Sequence, residues 1–340
     1  MENIAPQTSQ SSSSTLPSVL LPDGIEIRVD PRFACLAAAL TARSAATDSE
    51  HPLVASTREQ LQRSAAHPAA QWLSDQVGKY WLFGFAMRVA QLGVAPQFAP
   101  SAPEAIPLFV QQDYPEPPLA EVSQHLTVFW QDGGVESLLT SQRALWEEVV
   151  EDIRRVLAPT DIIAFERLFW GHYDTHLVVV PFANASANGI GVSNLAETYA
   201  TCFLRFADPF QANPHRILDL AQHEASHPIL AKIQQRFPDV PDACAFIEET
   251  HAPGVRFTQI YDAHEARWTE TLIRASTWFF LRELGRDDLA EAHLRIEDEA
   301  GVAACAAYVA ALQPWWSERR AGRAPGLDAI LDQFPAWLRA

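Results

Sequence analysis

The sequence is poor in basic residues, in sulfur and in long apolar runs, and each shortage narrows the reading. It holds 25 Lys and Arg against 42 Asp and Glu, for a net charge of −17 and a pI near 5.0. That balance argues against nucleic acid or an anionic membrane as a partner, because both recruit a positive surface. No apolar stretch approaches the ~18 residues needed to cross a bilayer, so no membrane span is expected. The 4 Cys, at positions 35, 202, 244 and 305, are widely spread and form no C-x-x-C pair. They read as reduced, buried thiols rather than a disulfide framework. Residues 1–17 are Ser-rich and carry no basic side chain and no apolar segment of the kind a secretory signal needs. A disordered lead-in over residues 1–23 and a reducing cytoplasm are the resulting expectations.

What the chain has in quantity is apolar surface, 48% of 340 residues, ample for a core. Residues 24–29 alternate Ile-Glu-Ile-Arg-Val and predict a strand. Helical spacing predicts helices over 31–43, 68–93, 119–130 and 135–157. The aromatics Trp72, Tyr80, Trp81, Phe83 and Phe85 in the second of these read as core. Six prolines between 97 and 118 mark an extended connector. The stretch 24–157 therefore forms a mainly helical N-terminal region. After Pro159 the pattern changes. Residues 161–170, 175–182 and 198–206 predict strands, the first two joined by a turn at 171–174, and 184–191 predicts a small-residue loop. A helix follows over 214–237, then helices over 260–284, 287–298, 301–320 and 327–338. The expected class is α+β, mainly helical, with a small antiparallel sheet beside the helix at 214–237. Residues 158–340 would form a zincin-like region with a helical C-terminal part.

That helix carries the one motif with chemistry in it, His223-Glu224-Ala225-Ser226-His227, which has the pattern H-E-x-x-H. Positions i and i+4 share a helix face, so both imidazoles can reach one metal ion while Glu224 points at a water activated by that ion. This is the arrangement of a zinc metallopeptidase. Asn213 and Pro214 suit an N-cap and a first helical position. Ile217, Leu218, Ala221, Ala225 and Ile229 supply a buried face. Pro228 removes a backbone donor, so a kink or restart is expected there.

Zinc needs a third protein ligand, and the motif does not continue into the metzincin H-E-x-x-H-x-x-G-x-x-H. Glu248, Glu249, Glu265 and Glu270 are the downstream candidates. Glu270 lies in an apolar stretch of helix with Leu272, Ile273 and Ala275, where a carboxylate needs a partner. Metal would serve, and so would a salt bridge to Arg274 at i+4. His172, His176 and His215 lack ligand spacing to His223 and are read as non-ligands.

Four stretches together resemble the bacterial DUF4932 family. They are the nonapeptide at 24–32, His67-Pro68, His223 to Pro228, and Trp268-Thr-Glu-Thr-Leu-Ile-Arg-Ala275. The likeness runs from about Gly24 to past Ala275. The family resembles gluzincin peptidases, with a Glu on a later helix as third ligand. The resemblance implies His223, His227 and Glu270 as zinc ligands and Glu224 as general base. Tyr261 and His264 precede Glu270 and are candidate donors to an oxyanion, or ordinary helix residues. The strands ahead of the site helix offer main-chain pairing to an extended peptide, with 188–191 as a rim or a plain turn. The expected function is zinc-dependent peptide hydrolysis, with a peptide or protein as substrate. The alternatives are a zinc protein that binds a peptide or protein partner without cleaving it, and a helical protein in which the motif is accidental.

Overall fold

The structure, a computed structural model, describes residues 16–45, 50–100, 117–172, 176–184, 190–193, 197–203 and 214–340. Several expectations fall elsewhere. Most of the lead-in, most of the Pro-rich connector, most of the loop after residue 184, and Asn213 lie outside the described residues. So do the side chains of Tyr80, Trp81, Phe83, Cys202 and His215.

Helix starts follow local chemistry. Helix α1 (Pro31–Arg43) begins behind Asp30, whose carboxylate accepts from the Arg32 amide at 2.9 Å. Helices α2 (Pro52–Gln60) and α3 (Pro68–Ala90) each begin with proline behind a histidine. In both, the histidine Nδ1 accepts the amide two residues on, at 3.1 and 3.2 Å. Proline suits a first helical turn because its missing N–H would have no partner there, and the capping atom satisfies the next donor. Helix α4 spans Leu119–Asp132. The helix expected over 135–157 divides at Gln142 into α5 (Val135–Ser141) and α6 (Arg143–Leu157). Gln142 is buried there and bonds Ser56 and Thr57 of α2 through its amide nitrogen, at 3.0 and 3.1 Å.

Residues 161–170, expected as a strand, form helix α7 (Ile162–Trp170). Asp161 caps it by accepting from the Ala164 amide at 3.0 Å, and Gly171 ends it at φ 109°. Its buried side chains, Ile162, Ile163, Phe165, Glu166, Phe169 and Trp170, recur at helical spacing. The unbroken apolar run hid that period.

The sheet is mixed rather than antiparallel. Its order is β1–β2–β3–β5–β4, with β1 (Ser18–Leu20), β2 (Glu26–Arg28), β3 (His176–Phe182), β4 (Ile190–Ser193) and β5 (Glu197–Phe203). The β1–β2 and β4–β5 pairs are antiparallel, while β2–β3 and β3–β5 are parallel. Strand β1 falls inside the stretch expected as lead-in. Glu26 pairs with Val178, so one sheet joins the two regions read separately from the sequence. The continuous Leu177-Val178-Val179-Val180 run of β3 is buried throughout, as a central strand flanked by parallel partners requires.

Helix α8 (Pro214–Arg236) packs on β3, β4 and β5 and runs without interruption through Pro228. Short helices α9 (Val240–Ala243), α10 (Ile247–Thr250) and α11 (Val255–Ile260) lead to α12 (His264–Glu283). The expected helix at 260–284 therefore starts later, after a break at 261–263. Helices α13 (Asp287–Glu299) and α14 (Cys305–Arg320) follow. The C-terminal stretch is two 3-10 turns and a single short helix, α15 (Phe334–Trp337), in place of one helix over 327–338. Phe169 of α7 stands within 5.2–5.7 Å, ring to ring, of Phe279 on α12 and of Trp315 and Trp316 on α14. This aromatic cluster ties the helices that support the motif. Nearby chains cross closely at Gly254 and Gly301, where a Cβ on either glycine would stand 2.7–2.8 Å from the other's Cα. No described helix is long and apolar enough to cross a membrane.

Candidate metal centre

The rotation of α8 is set by a buried polar belt beside the two histidines. Gln222 and Ser226, one turn apart, face α7 and α12 and are fully buried. Gln222 Nε2 donates to Glu166 at 2.9 Å and to Ser276 Oγ at 3.0 Å, and its carbonyl oxygen accepts from Thr277 Oγ1 at 2.5 Å. Ser226 Oγ lies 3.0 Å from the other Glu166 oxygen and accepts from Trp170 Nε1 at 3.1 Å. Each buried polar atom named here has a partner, so turning α8 about its axis would strand several of them. Burial pushes the Glu166 carboxyl up to about 8, against the hydrogen bonds from Gln222, Ser226 and Trp170.

With α8 so held, His223 and His227 turn toward α12 and meet Glu270. The two Nε2 atoms are 3.1 Å apart. Each lies 3.5 Å from a Glu270 oxygen, His223 from Oε2 and His227 from Oε1. A tetrahedral zinc ion with ligands at about 2.0–2.1 Å sets neighbouring donors about 3.3 Å apart. Two imidazole nitrogens and one carboxylate thus form a donor triangle of about that size, each nitrogen facing a different carboxylate oxygen, a group that could hold a metal ion. His227 and Glu270 are buried, whereas His223 and Glu224 keep partial exposure, so the triangle has one accessible side. Glu224 Oε2 lies 3.9 Å from His227 Nε2.

The electrostatics follow from burial and crowding. Burial pushes His227 down to about 3 and keeps its ring neutral. Burial opposes charge on His223 too, but the hydrogen bond and charge of Glu270, helped by Glu224, carry its pKa above the ordinary value. Burial raises Glu224 to about 7, with Glu270 adding to the effect and His223 opposing it. Burial would also raise Glu270, yet Arg274 and the two imidazoles bring it well below the carboxylate range. Arg274 forms a close ion pair with Glu270 and reaches Glu297 with Nε at 2.8 Å. Of the two partners weighed for Glu270, metal and a salt bridge to Arg274, the salt bridge is present, and both imidazoles face the same carboxylate.

The other candidates sort cleanly. Burial, with the Glu270 charge adding to it, holds the Tyr261 phenol well above its usual range, so it stays protonated. His264 is turned elsewhere: Nδ1 lies 2.9 Å from Glu248, and Nε2 donates to the Pro241 carbonyl at 2.8 Å. Glu248 is shared between His264 and Arg267, and Glu249 and Glu265 are exposed. His172 lies 3.4 Å from Asp328 and His176 lies 3.3 Å from Glu26, so neither joins the triangle. Glu166, Gln222, Ser226 and Arg274 complete the support. Of these, the belt went unread, although Gln222 and Ser226 at i, i+4 beside the motif and a lone Glu inside an apolar run were its visible traces.

Compared with protein-family models, curated proteins and solved structures, the chain matches none.

Proposed function

We propose that this chain is a zinc-dependent metallopeptidase of gluzincin type, with His223, His227 and Glu270 as ligands and Glu224 as general base. The observation that carries the reading is the meeting, across two helices, of two imidazole nitrogens 3.1 Å apart with one carboxylate, each nitrogen 3.5 Å from a different Glu270 oxygen. A bound zinc ion supplies Lewis acidity toward a scissile carbonyl and lowers the pKa of water at the site. Glu224 takes the proton of the attacking water and returns it to the leaving amine. Tyr261, kept protonated, is available to donate to the developing oxyanion. Strand β4 is one of the sheet's two edge strands among those described, the other being β1, and it packs against α8, so the edge nearest the site is the one an extended peptide would pair with. A cytoplasmic location fits the buried free thiols of Cys35, Cys244 and Cys305.

The second reading is a zinc protein that binds a peptide or protein partner without cleaving it. Digestion of an unbiased peptide library by zinc-loaded protein, alongside Glu224→Gln, separates the two. A peptidase cleaves, and the variant keeps its zinc while turnover falls by about 10²–10⁴-fold. No cleavage by metal-replete protein, with partner binding indifferent to Glu224→Gln, supports the binder.

A further inference from the structure

A second group of donors lies on the far side of Arg274. Asp219 is one turn before His223 on α8, and His293 and Glu297 are one turn apart on α13. One donor atom from each of the three lies within 4.8 Å of the others. His293 is fully buried and Glu297 nearly so. The His293 Nε2 atom is 2.9 Å from the Arg274 carbonyl oxygen. A carbonyl only accepts, so Nε2 carries the hydrogen. The other nitrogen, Nδ1, faces Glu297 Oε1 at 3.9 Å, too far for a hydrogen bond. An imidazole that donates one N–H to a backbone carbonyl and presents its second nitrogen to carboxylates has the orientation of a metal ligand. Two donors about 2.0–2.2 Å from one tetrahedral ion stand about 3.3–3.6 Å apart, so this pair need close by only a few tenths of an ångström to share one.

Charge points the same way. Arg274 feels the carboxylates of Glu270, Glu297 and Asp219, and Glu224 feels Glu270 and Asp219. Four carboxylates thus gather about one guanidinium in a mostly buried setting. Arg274 itself takes only the Oε2 side of Glu297, leaving Oε1 toward His293.

We propose that Asp219, His293 and Glu297 form a second divalent-cation site, distinct from the His223–His227–Glu270 site and separated from it by Arg274. One imidazole with two carboxylates suits a first-row divalent ion, Mn²⁺ or Zn²⁺, rather than the all-oxygen preference of Ca²⁺ or Mg²⁺. The ion links α8 to α13 and neutralises the side of Arg274 that the first site does not reach.

The test is metal content of the full chain. The protein is loaded with Zn²⁺, and separately with Mn²⁺, exchanged into metal-free buffer and analysed by mass spectrometry of the elements. Two equivalents are expected for the unchanged chain and one for His293→Gln, for Asp219→Asn and for His223→Ala. A Mn²⁺ titration followed by electron paramagnetic resonance should show binding at least tenfold weaker in Asp219→Asn. Asp219 is partly exposed, so this variant keeps the test open if His293→Gln does not fold. Metal content and Mn²⁺ affinity unchanged in both Asp219→Asn and His293→Gln overturn the site. Metal that survives His223→Ala and is lost in His293→Gln supports it, even though the first-site reading then fails.

Discussion

The buried carboxyl of Glu166 makes a pH-dependent contribution whose sign and size are set by its surroundings. It is fully buried and its pKa is raised to about 8 from an ordinary 4.5, mainly by burial. Between those two values the folded chain holds a proton that the unfolded chain has released. Stability is therefore fully present below pH 4.5 and is lost as pH rises toward 8. One pKa unit corresponds to about 1.4 kcal/mol, so this group costs the fold ~2–3 kcal/mol between pH 5 and pH 7. Glu166→Gln keeps the shape and removes the titration. Its carbonyl can accept from Gln222 while its amide donates to Ser226 Oγ. Urea unfolding of the metal-free chain, unchanged and substituted, at pH 5, 6 and 7 measures the difference. The variant should gain on the unchanged chain by ~2–3 kcal/mol across that range. Parallel pH dependences, or a gap that closes as pH rises, would refute the assignment of a protonated carboxyl at this position.

Three further outcomes are expected. Arg274→Met removes the cation between Glu270 and Glu297, and unfolding of the metal-free protein should show a loss of about 3–5 kcal/mol, because two mostly buried carboxylates are left without it. A loss under 1 kcal/mol would mean that water reaches them freely. Gln222→Leu breaks the belt at its centre, and should cost about 1–3 kcal/mol and weaken Zn²⁺ binding measured by competition with a chelator. Unaltered Zn²⁺ affinity would separate the belt from the site. Gly301→Ala meets both φ 91° and the Gly254 backbone at 2.8 Å, and should lower the thermal midpoint by several degrees, which a calorimetric scan reads directly.

Much of the helical framework was legible because its signals are local. Asp30-Pro31 and His67-Pro68 each place a cap beside a residue with fixed φ, and both open expected helices, whereas His51-Pro52 opens α2 by the same device although no helix was expected there. The α7 segment shows the limit of period counting. Ile162 to Trp170 is almost wholly apolar, and the deciding marks were its two ends, Asp161 and Gly171. Strand direction was not legible at all, since β2 and β3 find each other across the chain and no short-range feature encodes parallel pairing. At the candidate site, one turn of helix was enough to align His223 and His227. Glu270 stood out as a carboxylate in an apolar stretch, but its meeting with both imidazoles depends on how α8 and α12 cross. The same crossing carries His264 off to Glu248, a fate its position six residues before Glu270 did not reveal.

The parallel bond between Glu26 and Val178 has a consequence for synthesis. About 150 residues must emerge from the ribosome before the early hairpin meets its neighbour, and closing so long a loop is costly, growing with the logarithm of its length. Until then β2 shows a bare edge, the kind of surface along which nascent chains stick to one another. A growing chain that stalls before residue 178 is therefore the form most exposed to aggregation, and the motif histidines arrive only after that danger has passed.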